Sequence, residues 1–81
     1  MSAAPSSRPR DQTPDADTIT TLRDEAVDAG ASVQVTFPAP DGTEKRLVVS
    51  PRGTVVLLND VSEETFNPSR SAAEIADALQ A

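Results

Sequence analysis

The chain has 81 residues, 13 acidic and 7 basic, with no histidine, cysteine, tyrosine or tryptophan and a formal net charge of −6 at pH 7. Lacking imidazole, thiol and phenol, it lacks the usual neutral-pH base, the thiol nucleophile and most transition-metal ligands, and it can form no disulfide. Residues 1–10 hold two arginines and no acid, while the rest, with thirteen acids and five bases, carry −8. Phosphate neutralisation supplies most nucleic-acid affinity, so direct nucleic-acid binding is not expected. An acidic surface suits a basic partner or mimicry of nucleic acid.

The length allows one domain. Residues 1–16 are Ser, Pro, Ala, Arg and Asp with almost nothing to bury, and read as a disordered tail, with Arg8 and Arg10 available to an arm that orders on binding. About 65 residues remain, from 17 to 81, and a domain of that size buries only roughly 60% of its unfolded surface. Its core is therefore tightly packed, or a partner contributes burial. No stretch approaches the roughly 20 apolar residues of a membrane span. The N-terminus lacks the apolar centre of a signal peptide, so the cytoplasm is the expected compartment and no membrane partner is expected.

The first predicted element is a helix from about Asp17 to Ala29, capped by Asp17 or Thr18 and stopped by Gly30. Ile19, Leu22, Ala26 and Ala29 form a thin apolar stripe, with Asp24, Glu25 and Asp28 off it. A first strand follows at Ser32–Phe37, alternating Val33, Val35 and Phe37 with Ser32, Gln34 and Thr36. Asp41-Gly42 marks a turn into a second strand, Thr43–Ser50, and Pro51-Arg52-Gly53 a turn into a third, Thr54–Asn59.

A three-residue loop at 51–53 sets Val49 opposite Val55, Val48 opposite Val56 and Leu47 opposite Leu57. The core face is then Val33, Val35, Phe37, Leu47, Val49, Val55 and Leu57. The other face carries Val48, Val56 and Leu58 beside Gln34 and Thr36. A sheet with one solvated face does not normally place three aliphatics together on it, so a helix, a second copy or another partner is expected to cover them.

Residues 60–70 read as a polar connector containing Val61 and Phe66, with room for one helical turn before Asn67-Pro68. Phe66 belongs to the core or anchors a partner. A last helix starts at Ser71, where Ser71-Ala72-Ala73-Glu74 matches a capping box, and turns Ala72, Ile75, Ala76 and Leu79 inward. The predicted fold is α+β: helix, three-stranded antiparallel meander and C-terminal helix, α-β-β-β-α, in one small domain.

The remaining chemistry is sparse. No serine lies in a Gly-x-Ser-x-Gly elbow, and no glycine-rich phosphate loop occurs. The acidic groups at residues 24–28 and 60–64 lack the spacing of a calcium loop. No catalytic residue, metal ligand or cofactor is expected.

The segment Gly53-Thr54-Val55-Val56-Leu57-Leu58-Asn59-Asp60, followed by Arg70-Ser71-Ala72-Ala73-Glu74-Ile75-Ala76-Asp77-Ala78-Leu79, resembles the C-terminal half of PqqD-like peptide-recognition elements. The likeness implies a leader peptide adding as a strand to the sheet edge beside the last helix. Here that surface would be the third strand, Val55–Leu58, with Ile75 and Leu79. The chain departs from the family in its short, proline-broken connector and its opening helix.

The reading is a non-catalytic protein- or peptide-binding module, with a homodimer as one form of it, working through the sheet face and third strand. Its partner-binding candidates are Val48, Val56, Leu58, Phe66, Ile75 and Leu79. The alternatives are an acidic nucleic-acid-mimicking inhibitor of phage type and a small accessory or regulatory subunit.

Overall fold

The computed structural model describes residues 8–9, 12–59 and 61–80. Its elements are β1 (Arg8–Pro9), α1 (Ala16–Ala29), β2 (Val33–Pro38), β3 (Glu44–Val49), β4 (Val55–Leu58), β5 (Glu63–Phe66) and α2 (Ala72–Gln80). The strands form one sheet in the order β1-β2-β3-β4-β5. β2 to β5 are an antiparallel meander, and β1 adds in parallel beside β2. The α+β class and the helix–meander–helix order match the expectation, but the meander has four strands instead of three.

The central hairpins follow the parity of the sequence. β3 and β4 pair Leu47 with Leu57, Val48 with Val56 and Val49 with Val55, and Ser50 donates its amide to the Thr54 carbonyl at the neck of the three-residue loop. The Ser50 hydroxyl oxygen accepts the amides of Arg52 and Thr54, and Gly53 adopts φ 95°, a conformation that costs glycine little. The β2–β3 turn is closed by Asp41, whose Oδ1 accepts both the amide and the hydroxyl of Thr43.

The expected connector contains the fourth antiparallel strand. Asn59 Oδ1 accepts the amides of Val61 and Ser62 and the Ser62 hydroxyl, and the Asn59 amide bonds the Ser62 carbonyl. An asparagine that satisfies these donors itself supports a tight turn, so the chain reverses at once. β5 then runs back along β4, with Phe66 opposite Val55. Asn67 repeats the device, taking the amide and hydroxyl of Ser69, and turns the chain towards α2.

The folded part also begins earlier than residue 17. Asp15 caps α1, its Oδ1 accepting the Thr18 amide at 2.8 Å, in place of Asp17 or Thr18 as cap. Pro14 is fully buried, and the Thr13 hydroxyl donates to the Pro38 carbonyl at 2.8 Å. Residues 1–7, 10 and 11 of the expected tail lie outside the described residues. Gly30 ends α1 at φ 66°, its amide bonding the carbonyls of Ala26 and Val27. α2 begins with the predicted capping box: Ser71 Oγ accepts the Glu74 amide at 3.1 Å and Glu74 Oε1 accepts the Ser71 amide at 3.0 Å.

One apolar core joins the layers. Ile19, Leu22 and Ala26 of α1 and Ile75 and Leu79 of α2 pack on Val35, Phe37, Leu47, Val49, Val55, Leu57 and Phe66. All seven sheet residues belong to the same face, so both helices lie on one side of the sheet. Val33, Ala72, Ala76 and Ala78 border the core, whereas Ala29 of the predicted stripe is exposed.

Candidate functional site

The opposite face of the sheet follows from strand alternation and the observed register. Gln34, Val48, Val56 and Thr65 form one row across β2, β3, β4 and β5. Thr36, Arg46, Leu58 and Glu63 form the next. No helix among the described residues covers either row. Val48, Val56 and Leu58 are nonetheless half-buried, because cross-strand neighbours with Cβ atoms roughly 5 Å apart crowd one another. The result is a short aliphatic strip with Gln34 and Thr36 on one side, Thr65 and Glu63 on the other, and Arg46 beside Leu58. Such a strip can take an apolar contact, with hydrogen-bonding groups at its margin to orient the partner.

Of the six residues singled out in the sequence, three sit on this face and three do not. Phe66, Ile75 and Leu79 are 1%, 0% and 3% exposed and fill the core between the layers. Phe66 is drawn inward because its partner across the ladder is Val55, a core-face residue. Their side chains are thus occupied within the domain. The third strand of the sequence reading, β4, is paired on both sides, to β3 and β5, and offers no free edge. The edge implied by the PqqD-like resemblance is filled by β5. β4 contributes Val56 and Leu58 to the open face instead.

Sequence reasoning missed Thr65 and Glu63 as members of the face because it missed β5. The available signal was Asn59 ahead of Ser62, a side chain fitted to a turn, followed by β-favouring Thr65 and Phe66.

The end of the face near Leu58 dips into a shallow depression of about 250 Å³ lined by Thr36, Glu44, Lys45, Arg46, Leu58 and Asn59. A second, of about 230 Å³, continues past Glu44 and Asn59 to Asp41, Thr43 and Val61. Val61 is 92% exposed, an apolar side chain held in water at the tip of the β4–β5 turn.

Perturbed carboxyls lie at turns and caps. Asp41 is held below its ordinary value by the Thr43 hydroxyl and amide, with Lys45 adding to the effect. Glu74 is lowered by the Ser71 amide and then by Arg70, whose Nε is 3.6 Å away. The Arg70 guanidinium also stands 5.7 Å over the Phe66 ring. Among the described residues, no group of three or more Asp or Glu is placed to hold a metal ion, and no helix is long and apolar enough to cross a membrane.

No protein-family model, curated protein or solved structure matches the chain.

Proposed function

We propose that the chain is a non-catalytic protein- or peptide-binding module whose contact surface is the open face of the sheet, with pairing of two copies through that face as one form of the contact. The observation that carries this reading is the placement of Val48, Val56 and Leu58 side by side across β3 and β4, on the face away from both helices. A wet sheet face is ordinarily polar, and an aliphatic strip retained there gives a partner apolar surface to bury. In a domain this small, such burial also adds stability that the core alone supplies sparingly.

The segment that resembles PqqD-like elements provides β4, and so two of the three aliphatics. The reading keeps that resemblance's class of partner, a protein or peptide, and moves the contact from a strand edge to a sheet face.

The test is Val56→Thr with Leu58→Thr. Threonine keeps the β-branched shape of Val56, shortens the side chain at 58 while suiting a strand, and places a hydroxyl on the strip at both positions. The expected result is retained circular dichroism and loss of association, read as mass by light scattering and as binding of any captured partner. If fold, mass and binding all persist, this face is not the contact surface.

A further inference from the structure

The sheet edge at β2 is filled by the chain's own N-terminal segment. Arg8 pairs with Val35 and Pro9 with Thr36, in parallel register. Further along the chain, the Thr13 hydroxyl bonds the Pro38 carbonyl and Pro14 is buried. Among the described residues, Arg8 and Pro9 pair with two of the six residues of β2, Val33–Pro38. Parallel pairs are slightly weaker per residue than antiparallel ones, and Pro9 has no amide proton to give the ladder. Being part of the same chain as the anchored Thr13 and Pro14, this segment meets the edge at high local concentration, of millimolar order for a segment close in sequence. An untethered segment that pairs along more of β2 competes with it without needing an unusual affinity.

Charge indicates which segments fit. The first ten residues carry Arg8 and Arg10 and no acid, and everything after them carries −8. The two residues on the edge, Arg8 and Pro9, thus belong to a basic, proline-containing part of the sequence, and the rest of the chain is acidic. A vacated edge exposes a row of amides and carbonyls ready to pair with such a stretch.

We propose that the β2 edge is a docking site for extended, arginine-containing peptide segments bound by strand addition, and that residues 8–9 occupy it in cis as a displaceable guard. The site is separate from the open sheet face and does not rest on the reading given to that face.

The test uses the full chain, ¹⁵N-labelled, as wild type and as Arg8→Pro. The substitution removes the remaining donor of the two-residue strand and leaves the core untouched. Each protein is titrated with a synthetic peptide of residues 1–12 and with the same peptide carrying Glu at both arginine positions. The expected result is amide shifts centred on Val33–Phe37. Binding should be about fivefold or more tighter to Arg8→Pro than to wild type, because the tethered competitor is gone. The Glu-substituted peptide should bind about tenfold more weakly at low salt. Arg8→Glu with Arg10→Glu in the protein should release the edge as Arg8→Pro does.

Equal affinity for wild type and both released variants overturns the proposal, as does a peptide whose shifts avoid β2 or one that binds equally well with Glu. A wild-type dimer that becomes monomeric in Arg8→Pro overturns the cis assignment by placing a second copy's arm on the edge. Val56→Thr should leave peptide binding unchanged, so failure at the face and failure at the edge give different results.

Discussion

Arg23, midway along α1, donates from Nε to the carbonyl oxygen of Gly53 in the β3–β4 turn at 3.1 Å. A Cβ built on Gly53 would stand 3.4 Å from Cβ of Pro68, so the helix, the turn and the approach to α2 converge at this end of the sheet. The convergence holds the helical layer over one face and leaves Val48, Val56 and Leu58 on the other.

Arg23→Ala should therefore cost about 1–2 kcal/mol, the loss of a charged donor to a part-buried carbonyl, measured by urea denaturation. Nη2 of the same guanidinium is buried with no hydrogen-bond partner among the described residues. Arg23→Met, which removes that group and keeps the apolar stem, should cost less than Arg23→Ala. Equal losses would show that the bond to Gly53 outweighs packing of the stem.

Gly53 and Gly42 both have positive φ, 95° and 87°, but only at Gly53 would a Cβ have a neighbour within 4 Å. Gly53→Ala and Gly42→Ala are each expected to destabilise by about 1–3 kcal/mol through backbone strain, and to similar extents, because Pro68 Cβ lies at ordinary contact distance from a Cβ at position 53. Thermal melts of the two variants give the comparison.

Phe66 is the one buried residue of β5, against Val55 and beneath Arg70. Phe66→Ala should cost about 3–5 kcal/mol, a large part of what a domain of this size possesses. Thr65→Ala, on the exposed neighbour, should cost well under half of that. Similar losses would place the side chain of Phe66 elsewhere than the core.

The contrast between β4 and β5 explains what was legible in the sequence. Val55, Val56 and Leu57 meet apolar partners on β3, Val49, Val48 and Leu47, in the register that the three-residue loop sets, while Leu58 meets Arg46. The open face followed from that parity alone. β5 offers no such pattern: Glu63, Glu64 and Thr65 are all exposed and only Phe66 is buried. Its existence depends on the Asn59 turn and on pairing to a strand already in place. The early start of the domain was hidden for a related reason. Pro14 looks like tail residue by composition, and only the tertiary fold gives it a buried position. Ile75 and Leu79 were assigned correctly to an apolar helix face, but whether that face meets the core or a partner is decided by docking on α1, which periodicity does not report.

The capping box of α2 predicts a pH dependence. Glu74 titrates below its ordinary 4.5 in the folded state, chiefly because its carboxylate accepts the Ser71 amide. A folded-state value lower than the unfolded one gives stability that is fully present above 4.5 and is lost as pH falls through the folded value. Asp41, lowered from 3.8 by Thr43, acts in the same direction slightly further into acid. Glu74→Gln should lower the urea midpoint near neutrality, and the difference from wild type should shrink between about pH 5 and pH 3. Ser71→Ala, which removes the other half of the box, should cost about 1 kcal/mol with little pH dependence of its own. A Glu74→Gln difference that is constant across this range would contradict the assignment.

The most direct test of binding through the open sheet face is site-specific photo-crosslinking. A photoreactive residue is placed at position 56 in the full chain and, as a control, at position 24 on the exposed side of α1. After irradiation in the cells that make the protein, discrete adducts are expected from position 56 and not from position 24, whether the captured species is a second copy or another polypeptide. No adduct from position 56, or the same adducts from both positions, would contradict the assignment of this face as the binding surface.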